Sequence, residues 1–309
     1  MDRTSTYYRQ VQLLVQLLPL VAEEDCFALK GGTAINLFVR NLPRLSVDID
    51  LVYLPRVSRS EALQGITDAL LRISARISKV FPEAKITEAF KDKSDALRLI
   101  VSRAGVQVKI ELSPVLRGTV FEPQIMSVTQ KVEDEFGYAE IAVVALADLY
   151  AGKICAALDR QHPRDLFDVR VLLQNEGFNN DIRKALIVYL ISHGRPLSEL
   201  LNPGLQEIKK IYESEFSRLT DEDVSLTELE VTREEIIGLV NAGLTHSEKE
   251  FLLSFKNKEP KWELLGLENI QELPAVQWKQ LNLGKMSETR HKAAYEKLRE
   301  QLLGKEGGL

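Results

Sequence analysis

Hydrophobic residues recur at helical spacing near the start of the chain and again throughout its second half. Leucine and valine repeat every three to four residues over 7–22, which predicts an amphipathic helix. A short apolar run at 27–29 leads through a glycine pair into a second predicted helix, 34–40, which ends before Pro43. A third helix is predicted from a cap at Ser58 or Ser60 to about Val80.

Apolar and polar residues alternate in the rest of the first half, which predicts strands. The predicted strands are 47–54, 85–90, 97–102, 106–112 and 127–132, with Ala104 and Gly105 as a tight turn. After about residue 145 helical spacing takes over. Helices are predicted at 147–158, 164–174, 182–193, 205–219, 233–242, 247–256 and 288–303.

The order of these elements predicts an α+β fold in two parts. A mixed sheet flanked by helices occupies residues 1–144, and a helical domain occupies residues 145–309. The acidic stretch 221–235 is predicted to be a solvated connection within the second part.

Composition excludes several classes of protein. The 309 residues include only two cysteines, Cys26 and Cys155, so a disulfide scaffold or a cysteine zinc site is not expected. No apolar stretch approaches the roughly 20 residues of a membrane span. The first residues lack the pattern of a signal peptide. A cytoplasmic protein with no membrane partner is therefore expected.

The net charge of −5 argues against a nucleic-acid partner only as an average. Residues 1–120 carry 17 Lys and Arg against 13 Asp and Glu, a net charge of +4, and the remaining residues carry −9. This split indicates specialised parts, although chance variation in solvated surfaces would also produce it.

Candidate chemistry begins at the predicted strand that contains Asp48 and Asp50. Side chains alternate along a strand, so these two carboxylates point to one face, and Ile49 and Leu51 point to the other. Adjacent carboxylates repel each other unless a cation neutralises them, and Mg²⁺ or Mn²⁺ suits oxygen ligands. The alternative is a solvent-facing edge strand without a function.

A second strand repeats this arrangement with Lys109 and Glu111 on one face. If it lies beside the first strand, Glu111 becomes a third carboxylate, and three such groups can hold metal ions that serve phosphoryl chemistry. The alternative is an ordinary half-buried strand with a charged outer face.

A glycine pair lies where the first short strand enters a helix. Gly31 and Gly32 would let backbone N–H groups approach a phosphate, and Thr33 adds a hydroxyl or caps the helix. The fifteen-residue interval from Thr33 to Asp48 leaves room for one helix and a return loop. That loop contains Arg44, which is available to a phosphate or is merely solvated.

The second part offers charged residues on helix faces. Lys153 and Arg160 are seven residues apart and share one face of a predicted helix. Asp165 and Asp168 share a face of the next helix. The cations could hold a triphosphate and Asp168 could orient Lys153, or the acids could simply suit a helix N-terminus.

Together these residues resemble the motifs of the AbiEii/AbiGii nucleotidyltransferase toxin family. The first motif corresponds to Gly31–Gly32–Thr33 followed by 44–50, a run that includes Ser46. The second corresponds to 109–111, the third to Lys153 through Arg160, and the fourth to 165–168. Two positions depart from the pattern: Thr33 replaces a more usual serine, and Glu111 replaces a more usual aspartate.

The resemblance implies a DNA-polymerase-β-like nucleotidyltransferase core that needs Mg²⁺ and uses an NTP. It implies that Asp48, Asp50 and Glu111 bind the metal, and that Lys153 and Asp168 act in catalysis. The triphosphate would meet Gly31, Gly32, Thr33, Arg44, Ser46, Lys109, Arg160 and Asp165.

Family members act as toxins of bacterial toxin–antitoxin or phage-abortive systems, and some modify the 3′ end of tRNA. The resemblance therefore implies an RNA acceptor and a separately encoded antitoxin. Two alternatives stay open at this point: transfer to a protein or a small molecule, and a catalytically silent module that binds nucleotide or RNA.

Overall fold

The computed structural model describes residues 3–91 and 96–304. They form two compact units. Unit 1 comprises Met1–Ala145 and Ser214–Asp223, and unit 2 comprises Leu146–Glu213 and Val224–Leu309. Among the described residues, no helix is both long and apolar enough to cross a lipid bilayer.

Unit 1 contains a seven-stranded mixed sheet. Its strands are β1 (Phe27–Lys30), β2 (Asp48–Tyr53), β3 (Lys85–Glu88), β4 (Arg98–Arg103), β5 (Val106–Leu112), β6 (Gln124–Ser127) and β7 (Glu140–Val143). They lie in the order β3-β4-β5-β2-β1-β7-β6. The pairs β2–β5 and β1–β7 are parallel and the other four pairs are antiparallel.

Strand β2 lies in the middle of this sheet, between β1 and β5. Ile49 and Leu51 are fully buried, whereas Asp48 and Asp50 are only partly buried. Strand β5 alternates in the same way, with buried Ile110 next to exposed Lys109. The predicted two-faced strands are therefore present.

The helices of unit 1 are α1 (Thr6–Ala22), α2 (Gly31–Thr33), α3 (Arg59–Val80) and α4 (Gln130–Phe136). A π-helical stretch, Ala34–Val39, continues α2. Of the two predicted caps of α3, Ser58 is the one used. Its hydroxyl accepts the amide of Glu61, and the Glu61 carboxylate accepts the amide of Ser58.

The predicted strand 127–132 is wrong. Strand β6 ends at Ser127, and helix α4 starts at Gln130. Val128 and Val132 are both buried, and a spacing of four residues places two side chains on one face of a strand or of a helix alike, so the pattern does not distinguish the two. Strand β7, which follows Gly137 (φ +102°), was not predicted because four residues show too little alternation.

Unit 2 is helical. Its helices are α5 (Leu146–Arg160), α6 (Pro163–Asn175), α7 (Asn180–Ser192), α8 (Leu197–Leu201), α9 (Lys209–Ile211), α10 (Leu226–Gly243), α11 (His246–Lys256), α12 (Pro274–Gly284) and α13 (Glu288–Leu303). Helix α5 packs against α6 and α7, and α6 packs against α10. The predicted bounds of α13 are confirmed.

Two predictions fail in unit 2. The predicted helix 205–219 contains only α9 and a π-helical stretch, Tyr212–Phe216. The predicted solvated connection 221–235 ends early, because α10 starts at Leu226 behind a capping box of Ser225 and Glu228. Helices α8 and α12 were not predicted.

The segment Ser214–Asp223 returns to unit 1, which a single boundary near residue 145 does not provide for. The amide of Leu45 donates to the carbonyl of Leu219 (2.7 Å), and the hydroxyl of Thr220 donates to the carbonyl of Pro43 (2.8 Å). These bonds fix the loop that precedes β2.

Candidate active site

Two carboxylates project from the middle of the sheet of unit 1. Asp48 and Asp50 lie on the same face of β2, because side chains two residues apart on a strand share a face. The parallel β5 places Lys109 opposite Asp48 and Glu111 opposite Asp50. The predicted neighbourhood of the two strands is confirmed by this register.

The predicted cluster of three carboxylates does not form. Within residues 3–91 and 96–304, no three His, Cys, Asp or Glu side chains lie close enough together to hold a metal ion. Glu111 instead contacts Arg98, which lies opposite it on β4, with 3.4 Å between Oε1 and Nη1. The site therefore consists of an aspartate pair with Glu111 turned toward a cation.

Arg98 was missed, although the sequence contains the information needed to find it. A tight turn at Ala104 and Gly105 pairs residue 103 with residue 106. Counting outward along the antiparallel strands then pairs Arg98 with Glu111.

The glycine turn presses against Asp50. Gly31 has a φ of +74°, which glycine adopts without strain. A Cβ atom on Gly31 would lie 2.6 Å from Oδ2 of Asp50, and one on Gly32 would lie 2.7 Å from Nη2 of Arg44. Both glycines are thus required for the backbone to approach the carboxylate and the guanidinium.

Thr33 ties this turn to β2. Its side chain is fully buried, its hydroxyl donates to the carbonyl of Asp48 (2.5 Å), and it lies 3.0 Å from the hydroxyl of Ser46. It makes no capping hydrogen bond. The predicted helix cap is therefore wrong, and the predicted contact of Thr33 with a phosphate stays a prediction.

Arg44 is also buried, with 2% of its surface exposed, so the alternative of a solvated arginine is wrong. Its Nη1 donates to the carbonyl of Leu45 (2.9 Å), and its Nη2 faces Gly32. The guanidinium is therefore held beside the glycine turn.

The aspartate pair fits a divalent cation by the chemistry of its donors. Among the described residues, the carboxylate of Asp50 has no hydrogen-bond or ion-pair partner. Mg²⁺ is usually held by one or two carboxylates together with substrate phosphates and water, rather than by a cage of protein ligands. Asp48 and Asp50 would hold the ion in this way.

Unit 2 brings together the other four predicted site residues. Nζ of Lys153 lies 2.8 Å from Oδ1 of Asp165 and 3.0 Å from Oδ2 of Asp168. Nε of Arg160 lies 2.6 Å from Oδ2 of Asp165. Both aspartates are 99% buried, so their helix-terminal position alone does not account for them.

The electrostatics of this cluster favour the charged forms. Burial raises the pKa of Asp165, but the charges and hydrogen bonds of Lys153 and Arg160 outweigh it and hold that pKa well below its usual range. Two cations and two carboxylates then balance within the cluster.

One family model matches residues 12–279 and is described as the nucleotidyl transferase AbiEii toxin of type IV toxin–antitoxin systems. The chain belongs to this family. The predicted enzyme class, a nucleotidyltransferase, is confirmed by the assignment.

Two solved structures resemble this family member. MenT4, a nucleotidyltransferase toxin from Mycobacterium tuberculosis, matches with a TM-score of 0.62 and 14% identity, over 92% of this chain and 95% of that one. This match confirms the predicted fold class. A candidate nucleotidyltransferase from H. pylori has a TM-score of 0.45 and 19% identity, over 77% of this chain and 98% of that one.

Two curated proteins each match 55 residues of the chain. A 25-hydroxycholesterol 7-alpha-hydroxylase from Rattus norvegicus is 42% identical over 55 residues, which is 18% of this chain and 13% of that protein. A cytochrome from Mus musculus is 38% identical over 55 residues, or 10% of its length. The match spans about a tenth of these relatives and assigns no activity.

Replacing Gly31 by alanine should lower the activity without unfolding the protein. The new Cβ would strain the left-handed backbone, which costs about 1 kcal/mol, and would displace the Asp50 carboxylate. We expect Gly31→Ala to lower nucleotidyl transfer at least about tenfold, which corresponds to roughly 1.4 kcal/mol of transition-state stabilisation. Labelled-nucleotide incorporation and urea unfolding measure the two effects.

Gly105→Ala is the matched control. Gly105 has a φ of +78°, and nothing lies within 4 Å of its added Cβ, so it carries the same backbone strain without a clash. It should lose similar stability and keep its activity. Equal losses of activity in the two variants would contradict a role for the contact between Gly31 and Asp50.

Asp165→Asn should destabilise the protein in a pH-dependent way. The change leaves buried Lys153 with Asp168 alone, at a cost of about 3 kcal/mol near pH 7. Because the pKa of Asp165 is depressed in the folded state, its stabilisation is present above the unfolded pKa of about 3.9 and is lost as pH falls below it.

Urea unfolding at several pH values measures this difference. The gap between wild type and Asp165→Asn should be constant from pH 5 to 7 and shrink between pH 4 and 2, where the protein still folds. The control is Asp159→Asn, which removes a partly exposed pair with Arg195 and should cost at most about 1 kcal/mol. A gap that does not change with pH would contradict the ionised buried pair.

Proposed function

We propose that this chain transfers a nucleoside monophosphate from an NTP to an RNA acceptor, the 3′ end of a tRNA, as the toxin of a toxin–antitoxin system. The observation that carries the proposal is the pair Asp48 and Asp50 on a central strand, with Gly31 packed against Asp50. A surface strand without function has no need of a left-handed glycine against its carboxylate.

A bound Mg²⁺ would neutralise charge on the NTP phosphates and polarise the phosphorus that reacts. Asp48 and Asp50 would hold it. Asp50 is suited to this by its lack of a competing cation among the described residues. Metal dependence remains part of the proposal.

The chain's own residues supply position and charge. The backbone at Gly31 and Gly32 is open to a phosphate oxygen because neither residue carries a Cβ, and buried Arg44 lies beside it. Positioning and preorganised charge carry most of a phosphoryl transfer. Thr33 contributes indirectly, by fixing the turn to the Asp48 backbone.

The contacts described above bear on three residues that were predicted to meet the triphosphate: Lys109, Ser46 and Lys153. Lys109 lies opposite Asp48 and is exposed, so it remains a candidate phosphate contact together with the hydroxyl of half-buried Ser46. The charge of Lys153 is already matched by Asp165 and Asp168. Its predicted role against a triphosphate stays a prediction.

The acceptor is proposed from the family and from charge. The first 120 residues are positive overall, at +4, although they contain Asp48, Asp50 and Glu111. A cation on the aspartates would reverse their local effect, so the net charge of −5 does not exclude RNA. The toxin family implies a separately encoded antitoxin as a further partner.

Asp50→Asn tests the mechanism. The variant keeps the shape of the side chain and removes its charge, and we expect incorporation of labelled NTP into total RNA to fall by at least about a thousandfold, or roughly 4 kcal/mol of barrier. The wild type should lose activity with a chelator and regain it with Mg²⁺. RNase sensitivity of the product identifies RNA as the acceptor.

Glu140→Gln is the control for a lost strand carboxylate. Glu140 lies on β7 of the same sheet, where it is exposed and accepts hydrogen bonds from Tyr138 and Ser127. It should leave activity unchanged. A folded and fully active Asp50→Asn protein would overturn the mechanism, and a labelled product that resists RNase would overturn the RNA acceptor alone.

A further inference from the structure

Arg117 is a buried cation that pairs with no carboxylate in the described part of the chain. It lies in the connection between β5 and β6. The amide of the next residue, Gly118, donates to the carbonyl of Tyr53 (2.8 Å), which holds this connection at the end of β2. Only 7% of Arg117 is exposed. Its Nε is buried and has no hydrogen-bond partner among the described residues.

The hydrogen bond that the described residues offer this guanidinium is weak. Nη1 lies 3.5 Å from the carbonyl of Ser58, at the limit of a hydrogen bond, and that carbonyl already accepts the amide of Ala62 (2.9 Å). An arginine does not escape the cost of burial by losing its proton. The charge therefore remains and needs a counter-ion.

Two positive groups lie near Arg117. Ser58 is the N-cap of α3, a helix of 22 residues, and the N-terminus of a helix carries a partial positive charge. Arg59, the first residue of α3, adds a second guanidinium, and burial and the Arg59 charge together lower the pKa of Arg117. The acid of this turn, Glu61, is committed to the capping box.

We propose that Arg117, Arg59 and the N-terminus of α3 bind a phosphate group. Two guanidiniums and a helix N-terminus match a doubly charged oxyanion with several acceptor oxygens, and arginine binds phosphate through paired N–H groups. The site requires no metal and does not rest on the proposed nucleotidyl transfer.

This site is separate from the aspartate pair. It lies beyond Tyr53, the last residue of β2, whereas Asp48 and Asp50 lie in the first half of that strand. At about 3.3 Å per residue, Tyr53 lies roughly 10 Å along β2 from Asp50. The phosphate can come from inorganic phosphate or from the backbone of an RNA.

Calorimetric unfolding of the full chain with inorganic phosphate, at constant ionic strength, tests the site. The Tm of the wild type should rise with phosphate in a saturable way, because a ligand that binds only the folded state stabilises it. Arg117→Met should lose that rise, and without phosphate it should be no less stable than the wild type, since an uncompensated buried charge is gone.

Arg233→Met is the matched control. Arg233 is also buried and its Nε also lacks a described partner, but Nη1 donates to the carbonyl of Gln206 (2.7 Å) and to Oε1 of Gln161 (3.2 Å). This variant should lose stability and keep the phosphate-dependent rise. No rise in the wild type, or a rise kept by Arg117→Met, would overturn the proposal.

Arg59→Ala keeps the proposal testable if Arg117→Met does not fold. Arg59 is exposed, so its removal should not unfold the chain, and phosphate affinity should fall about tenfold with the loss of a charge-assisted contact. Unchanged affinity in this variant would contradict the proposed site.

Binding of a single-stranded RNA oligonucleotide over a range of salt separates the two sources of phosphate. If RNA supplies it, Arg117→Met should weaken RNA binding and reduce the salt slope by about one. If free phosphate supplies it, Arg117→Met should lose the thermal shift and bind RNA like the wild type. An Arg117→Met protein that keeps the phosphate-dependent rise would overturn the proposal, however it binds RNA.

Discussion

The candidate site depends on the pairing of β2 with β5, which sets Glu111 opposite Asp50. Ile49 and Leu51 on β2 and Ile110 on β5 are buried, so a slip of one residue would move carboxylates into the core. Hydrophobic burial on one face thereby fixes the register that places Lys109 opposite Asp48 and Glu111 opposite Asp50 on the other. The two-residue period of β2 places Asp48 and Asp50 side by side, and burial of the core beneath the strand offsets their repulsion.

The parts around the aspartates follow from the same constraint. Because the Asp50 carboxylate has a fixed position, the turn can pack against it only if residue 31 has no Cβ. The hydroxyl of Thr33 then bonds the turn to the carbonyl of Asp48. Arg44 is held beside Gly32 by a loop whose backbone bonds to Leu219 and Thr220. Residues distant in sequence thus complete the first motif.

Local patterns predicted the two-faced strands, the glycine turn and most helices, because each depends on neighbours within a few residues. The predictions from local patterns failed where the spacing of apolar residues fits a strand and a helix alike, as at Val128 and Val132. They also failed where the first turns of α10 are rich in acidic residues, which predicted a solvated connection. Pairing of distant segments is not a local property, so the return of 214–223 to unit 1 was not predictable. The burial of Asp165 and Asp168 also depends on α5 and α6 meeting.

The contact of Glu111 with Arg98 bears on which carboxylates a cation would meet. Both side chains are more than a third exposed and lie 3.4 Å apart, and such a surface pair contributes at most about 1 kcal/mol. The register that places Glu111 opposite Asp50 is instead fixed by several backbone pairs and by the core beneath them. Rotating one side chain is therefore far easier than moving the strand. The distance of Glu111 from the aspartate pair is therefore set by its position on β5 and not by its contact with Arg98.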